Sequence, residues 1–341
     1  YLSGFIGREV LNLGKSPISP IMLSIIIGLL VGNIFKIHSI FLEGINFSLK
    51  FILRLGIICL GIRLGLLDIL KVGIIGIPLI IACIIISIIL VNYFCKLFDV
   101  PSKIGSLIAV GTSICGASAI VASSPAINAN KEEVTYAIAN ITIFGIIAMF
   151  TYPFLSHYLF NGDEISIGLF LGTSIHETAQ VAGAGLIYSE QYNSPDTMNI
   201  ATVTKLVRNI SMIVVIPFIS YLYLKNNIGK KNTKPSILSM FPVFIIGFII
   251  MGVVRSIGDY GIQSFDKAFG VFLNDQWQLI IHYIKSLAEY SLAIAMAAVG
   301  ISTNLVSLRS LGIKPFYVGF SAAICVGLVS YIGIIFLNSF I

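Results

Sequence analysis

The sequence predicts an all-α integral membrane protein, a polytopic helical bundle of about ten membrane segments, each apolar run approaching the length a bilayer demands. Two observations carry most of that expectation. Only 11% of the 341 residues are charged while 57% are hydrophobic, and the mean hydropathy is +0.99. Soluble domains carry about 25% charged residues, so a chain this poor in charge could not keep its surface wet. The apolar residues are also gathered into runs near the roughly 20 residues that a spanning helix needs. These runs are 17–35, 45–66, 72–94, 134–155, 200–224, 235–254, 286–304 and 315–337.

The net charge of +6 is spread through short connections and membrane segments. That distribution reads as topology signals, with no basic, aromatic-interleaved patch for nucleic acid. Cys59, Cys83, Cys95, Cys115 and Cys325 lie in or beside apolar segments and none forms a CxxC pair. Disulfides and a metal site are not expected. The chain starts at Tyr1 without a methionine, which leaves open a cleaved, engineered or unseen N-terminus, with or without a further helix upstream.

Two more segments differ in kind. Residues 104–127 read IGSLIAVGTSICGASAIVASSPAI, and 165–189 read ISIGLFLGTSIHETAQVAGAGLIYS. Both are rich in small residues where a lipid-facing helix would carry Leu and Ile. Small residues permit close backbone approach, and glycines beside hydroxyls suit an interrupted helix. Both segments are therefore expected to be broken, either as spanning helices or as re-entrant hairpins.

Gly111-Thr112-Ser113-Ile114 recurs 61 residues later as Gly172-Thr173-Ser174-Ile175. Gly61-Ile62, Leu66 and Gly73-Ile74 recur 239 residues later as Gly300-Ile301, Leu305 and Gly312-Ile313. The chain thus reads as one transmembrane domain, 1–341, with a repeat at about 17–155 and a circularly permuted second at about 165–341. Inverted repeats are a common build for secondary transporters. If 104–127 and 165–189 both cross, one matched pair runs parallel and the other antiparallel; as hairpins, both pairs are inverted. Loop charge favours hairpins. The Lys225–Lys234 loop, with four lysines, is placed in the cytoplasm, and the loops around Lys96/Lys103 and Arg309/Lys314 fall on its side. The loops 156–164 and 190–199 lack Lys and Arg and fall outside. The polar stretch 255–285, with Trp277, reads as an outer interlude carrying an interfacial helix.

Ionisable groups within the membrane are costly, about 2.5–3.5 kcal/mol each at a helix centre, and mark function. Lys205 and Arg208 lie three residues apart on one helix face of 200–224. Past the second GTSI stand His176, Glu177 and Gln180; His176 and Glu177 are the candidate ion-coupling pair, histidine being suited to titration near neutral pH. Glu177 paired with Lys205 or Arg208 is the plainer alternative. Thr112, Ser113, Cys115 and Ser118 at the first break, and Thr173 and Ser174 at the second, offer uncharged donors beside freed helix N-termini that favour anions. Together with Gln180, Lys205 and Arg208 they form the candidate substrate-binding set. Lys50, Arg54 and Arg63 read as topology anchors, and Asn304 as a cap.

The stretches LGIICLGIRLGLLDILKVGI, GTSICGASAI, GTSIHETAQV, KLVRN and LAIAMAAVGISTNL, in that order, resemble the YeiH family of proposed sulfate exporters. The resemblance covers nearly the whole chain. It implies anion transport in a bacterial inner membrane, with the two GTSI motifs and Lys205/Arg208 lining the site. The partners expected are a small anion, the lipid bilayer and a proton or sodium ion for coupling, with a homodimer as one assembly. No cofactor is expected, and without a Walker A motif ATP does not drive this chain directly. Two other classes fit less well: an anion channel, and an intramembrane hydrolase using Ser118 and His176, whose GASA lacks the second glycine of a rhomboid-type motif.

Overall fold

The computed structural model describes residues 20–35, 37–226, 243–303 and 314–339. Asn304, Arg309 and the 227–234 part of the lysine-rich loop lie outside the described residues. The described residues are helical apart from one two-stranded turn. Among the described residues, six helices are long and apolar enough to cross a membrane, seven if one bent pair is a single span.

The helices, in order, are α1 (Pro20–Ile34), α2 (Ser39–Arg63), α3 (Leu66–Leu97), α4 (Ser102–Ser113) and α5 (Ala117–Ser123). They continue as α6 (Lys131–Leu159), α7 (Glu164–Ser174), α8 (Thr178–Tyr192), α9 (Pro195–Ile210) and α10 (Met212–Asn226). The last are α11 (Phe244–Phe265), α12 (Asn274–Ser302) and α13 (Lys314–Asn338), with β1 (Lys267–Ala268) and β2 (Phe272–Leu273) between α11 and α12.

Two compact units are present. One gathers α1, α2, the start of α3, α11, β1, β2 and α12; the other gathers the rest of α3, then α4 to α10, apart from the stretch 190–195, and α13. Each unit therefore contains segments from both expected repeats.

In the first unit glycines set the spacing. A side chain at Gly28 would strike the Ala297 carbonyl, and one at Gly300 the Ile25 carbonyl, so α1 and α12 meet backbone to backbone. The stretch 255–285, expected as an outer interlude carrying an interfacial helix, is almost wholly helical. Helix α11 continues through Arg255 to Phe265, and α12 begins at Asn274, leaving only residues 266–273 between them. The reason is local pairing: Arg255 donates to Asp259 one turn on, and Trp277 Nε1 donates to Asp259 Oδ1 at 2.8 Å. Trp277 is not at a free interface; it is buried against Gly258.

In the second unit the exposed apolar side chains form stripes. Ile77, Ile81, Ile85 and Ile89 run along α3, and Phe320, Ile324, Leu328 and Ile332 along α13, each at a spacing of one helical turn. Such continuous apolar surface suits lipid. Helix α6 starts on a capping box, Asn130 with Glu133, and runs for 29 residues. Helices α9 and α10 meet at Ser211 with a 42° bend, with Pro217 inside α10.

Both small-residue segments fold back on themselves. Lys103, at the start of α4, donates to the Asn128 carbonyl beyond α5 at 2.7 Å, and lies 3.9 Å from Glu133 on α6. Ile120 of α5 packs on Gly111 of α4. The second segment is read through α9. Thr197 reaches the Glu164 carbonyl, Gly168 packs on Ile200 and Gly172 on Thr204, so α7 runs alongside α9 in the same direction. Asn209 donates to Thr178 at 2.9 Å and Gly185 packs on Met198, so α8 runs the other way. Helices α7 and α8 therefore reverse direction across 175–177.

Candidate functional site

The two reversals end in different backbones. After Ser113, Ile114 leaves the helix and Gly116 takes φ +74° and ψ −129°, a conformation open to glycine and strained for other residues. After Ser174 there is no glycine: Ile175 is extended at φ −87°, ψ 140°. Hydroxyls loosen the last turn instead. Thr173 Oγ1 donates to the Leu169 carbonyl at 2.7 Å and Ser174 Oγ to Phe170 at 2.5 Å, bonds that bend a helix. The GTSI glycines are not at the breaks. Gly111 and Gly172 lie inside α4 and α7, where they admit Ile141 and Thr204.

Both breaks are joined by Lys205 and Arg208, which are wholly buried. Lys205 Nζ donates to the carbonyls of Ile114 and Ile175, each at 2.9 Å, and to that of His176. An ammonium has three donors, and all three are used. Arg208 donates through Nε to Ser113 at 2.9 Å, through Nη1 to Thr173 at 2.5 Å and Ile175 at 3.4 Å, and through Nη2 to Thr112. These acceptors are the last carbonyls of α4 and α7 and the residues just beyond. Such carbonyls have no partner within their own helix and carry the negative end of the helix dipole. The two cations thus satisfy and neutralise two broken helix ends at once. Neither side chain reaches outward past its helix end, as it would if it were an interfacial anchor.

Glu177 lies elsewhere at the tips. Among the described residues no ion pair joins it to Lys205 or Arg208. Its carboxylate accepts from Thr142 Oγ1 at 2.8 Å, and its Cγ rests against Gly116, beside the Ala117 backbone. Gln180 braces it: Oε1 accepts from the Glu177 backbone N–H at 3.3 Å, and Nε2 donates to the Thr142 carbonyl at 3.0 Å. Glu177 and Thr178 are part-exposed and Ser118 is exposed, whereas His176 is buried.

Four buried polar atoms around this cluster have no hydrogen-bond partner among the described residues: Thr112 Oγ1, His176 Nδ1, Thr204 Oγ1 and Asn209 Oδ1. Buried polar atoms are normally paired, so such a set calls for a partner such as a ligand, ion or water. Cys115 packs instead on Met212, with its Sγ 3.2 Å from Sδ. Thr173 Oγ1 also meets Ser330 Oγ at 2.6 Å. No hydrogen bond joins Ser118 to His176 among the described residues. Of the sequence candidates, Thr112, Ser113, Cys115, Thr173, Ser174, His176, Glu177, Gln180, Lys205 and Arg208 converge on the two breaks, and Ser118 lies on the exposed side of α5. Thr142, Thr178, Thr204 and Asn209 join them. The signal for Thr142 was the polar residues Asn140 and Thr142 inside an apolar span; Asn209 simply follows Arg208.

The profile of the family described as Conserved hypothetical protein 698 matches residues 2–319. A UPF0324 membrane protein of Fusobacterium nucleatum is 32% identical over 309 residues, 90% of this chain and 87% of that one. One from Streptococcus agalactiae is 33% identical over 296 residues, 87% and 83%. One from Yersinia pestis is 32% identical over 334 residues, 92% and 85%. No solved structure matches the chain.

Proposed function

The chain belongs to the Conserved hypothetical protein 698 family of bacterial membrane proteins, and we propose that it is a secondary transporter of a small anion across the inner membrane. The observation that carries this reading is the pair of fold-back segments whose broken ends are tied together by Lys205 and Arg208. Helix breaks within a membrane are tolerated where they are buried in protein or line a cavity, and there they serve as binding sites.

The segments read as re-entrant hairpins from opposite faces. The first opens at the Lys131 end of α6, and the second at its other end, where His157 meets Tyr188 at 3.0 Å. Thr142, level with both tips, lies 11 residues from Lys131 and 17 from Leu159. At 1.5 Å per residue that is about 17 and 26 Å, so the tips lie deep within the span. Helix α6 and the α9–α10 pair run in opposite senses, which fits inverted repeats. The lysine-bearing ends, with Lys96, Lys103, Lys131 and Lys314, are cytoplasmic on the positive-inside rule.

In this reading Lys205 and Arg208 act on the anion from behind the tips chiefly through their field, since all three Lys205 donors are engaged and Arg208 makes four bonds to carbonyls. Contacts come from Thr112, Thr204 and His176, whose polar atoms have no other partner among the described residues, with Ser118 and Thr178 at the open side. Sulfate, another sulfur oxyanion or a small organic acid fits such a set, as the resemblance to proposed sulfate exporters implies. Thermal-shift screening of the purified protein with sulfate, sulfite, thiosulfate and short carboxylates tests binding. A ligand at 100 times its Kd stabilises the folded state by about 2.7 kcal/mol. Saturable uptake of the hit into proteoliposomes is the expected result. Non-saturating flux would make it a channel, and neither shift nor flux with any of these anions would overturn the reading.

A further inference from the structure

Resting on that transport reading, we infer that the anion binds together with one proton, carried by Glu177, so that the carrier is an anion–proton symporter at this site. The inference comes from where the charges stand. Lys205 and Arg208 are fixed to carbonyls of both breaks and cannot follow an incoming anion. The two helix ends they cover offset about one of their two positive charges. An ionised Glu177 offsets about one more, leaving the tips near neutrality. Glu177 is the carboxylate at the part-exposed side of the tips, against Gly116 and Thr142, without a cation of its own among the described residues. An anion arriving beside it meets a like charge in a low-dielectric interior. With a proton on Glu177 that repulsion is gone, and about one positive charge is free to hold the anion.

The titratable groups around Glu177 are Lys205 on α9, Cys115 at the first break and His176 next to it in the chain. Helix α6 contributes Thr142, and α8 Gln180, neither of which titrates. Lys205 has its three donors on carbonyls, Cys115 is packed on Met212, and His176 is buried with its own carbonyl on the Lys205 ammonium, which leaves the part-exposed Glu177 as the group whose proton can come and go with the ligand. One proton and one anion then bind as a unit. Anion affinity is full when Glu177 is protonated and falls as pH rises through its titration, tenfold per pH unit.

The test is calorimetry of sulfate and of thiosulfate binding to the purified full chain, across pH and in two buffers of different ionisation enthalpy. The expected result is about one proton taken up per anion on the alkaline limb, with Kd rising about tenfold per pH unit. Glu177→Gln should bind with a flat pH profile and no proton uptake, and Glu177→Asp should restore both. Wild-type binding without proton uptake, or the same slope in Glu177→Gln as in wild type, overturns the symport inference and leaves the transport reading standing. The wild-type proton count decides this even if Glu177→Gln does not fold. Should neither anion bind at any pH, nor move in proteoliposomes, the inference falls together with the transport reading.

Discussion

Replacing Lys205 by methionine keeps the stem and removes the ammonium. The loss can be worked from its partners. Three carbonyls lose their donor, but Ile175 keeps Arg208 at 3.4 Å, so Ile114 and His176 are the ones orphaned. A buried acceptor left unpaired costs about 1–3 kcal/mol, which puts the pair at about 2–6 kcal/mol. Two helix ends also lose a shared counter-charge. The carbonyls of Ile114 and Ile175 are each 2.9 Å from Nζ, so they lie no more than 5.8 Å apart. Half-charges at that distance repel by about 0.7 kcal/mol at an effective dielectric of 20. The gain from no longer burying an ammonium works against both terms. The expected balance is a loss near the lower end, about 2 kcal/mol out of a typical 5–15 kcal/mol. The assay is thermal unfolding in detergent, read without any anion, beside anion affinity. A melting temperature unchanged from wild type, with anion binding abolished, would refute the tie and make Lys205 a direct ligand.

Three further outcomes are expected. In a cysteine-free background, cysteines at Lys103 and Lys131 should label with an impermeant maleimide from one face of the membrane and a cysteine at Asn161 from the other; labelling of 103 and 131 from opposite faces would exclude the first hairpin. Gly172→Ala puts a methyl 2.7 Å from the Ala201 carbonyl oxygen and should cost about 1–3 kcal/mol by thermal unfolding, while Gly44→Ala, with open space around it, should cost nothing. Trp277→Phe should cost about 1.5 kcal/mol in the same assay, through the lost bond to Asp259, and an unchanged melting temperature would show that bond to be idle.

Much of the membrane architecture was legible because burial in lipid leaves a coarse mark: long apolar runs and few charges. The helix ends were less so. The span expected from the sequence ends at Val254, since a charge usually ends an apolar run; the helix continues because Arg255 pairs with Asp259 one turn on, and Asp259 also accepts from Trp277. The two breaks were legible from the repeated GTSI and its small residues. The partners of Lys205 and Arg208 were not, for a chemical reason. Every acceptor they use is a main-chain carbonyl, up to 96 residues away, and any residue type supplies one. No pattern of side chains records such a bond. A buried Glu177 is costly and a basic neighbour is its natural partner, but Lys205 and Arg208 are taken up by carbonyls.

The order of those bonds along the chain has a bearing on biogenesis. Helix α9 carries Lys205 and Arg208, and a charge at a helix centre costs about 2.5–3.5 kcal/mol to insert alone. Yet every carbonyl that receives Lys205 or Arg208, from Thr112 to His176, precedes them in the sequence. When α9 leaves the ribosome, its acceptors have already been made. The two cations need never face lipid unaccompanied, provided the earlier hairpins wait at the insertion machinery, and a chain cut short before α9 would leave those carbonyls bare in the bilayer.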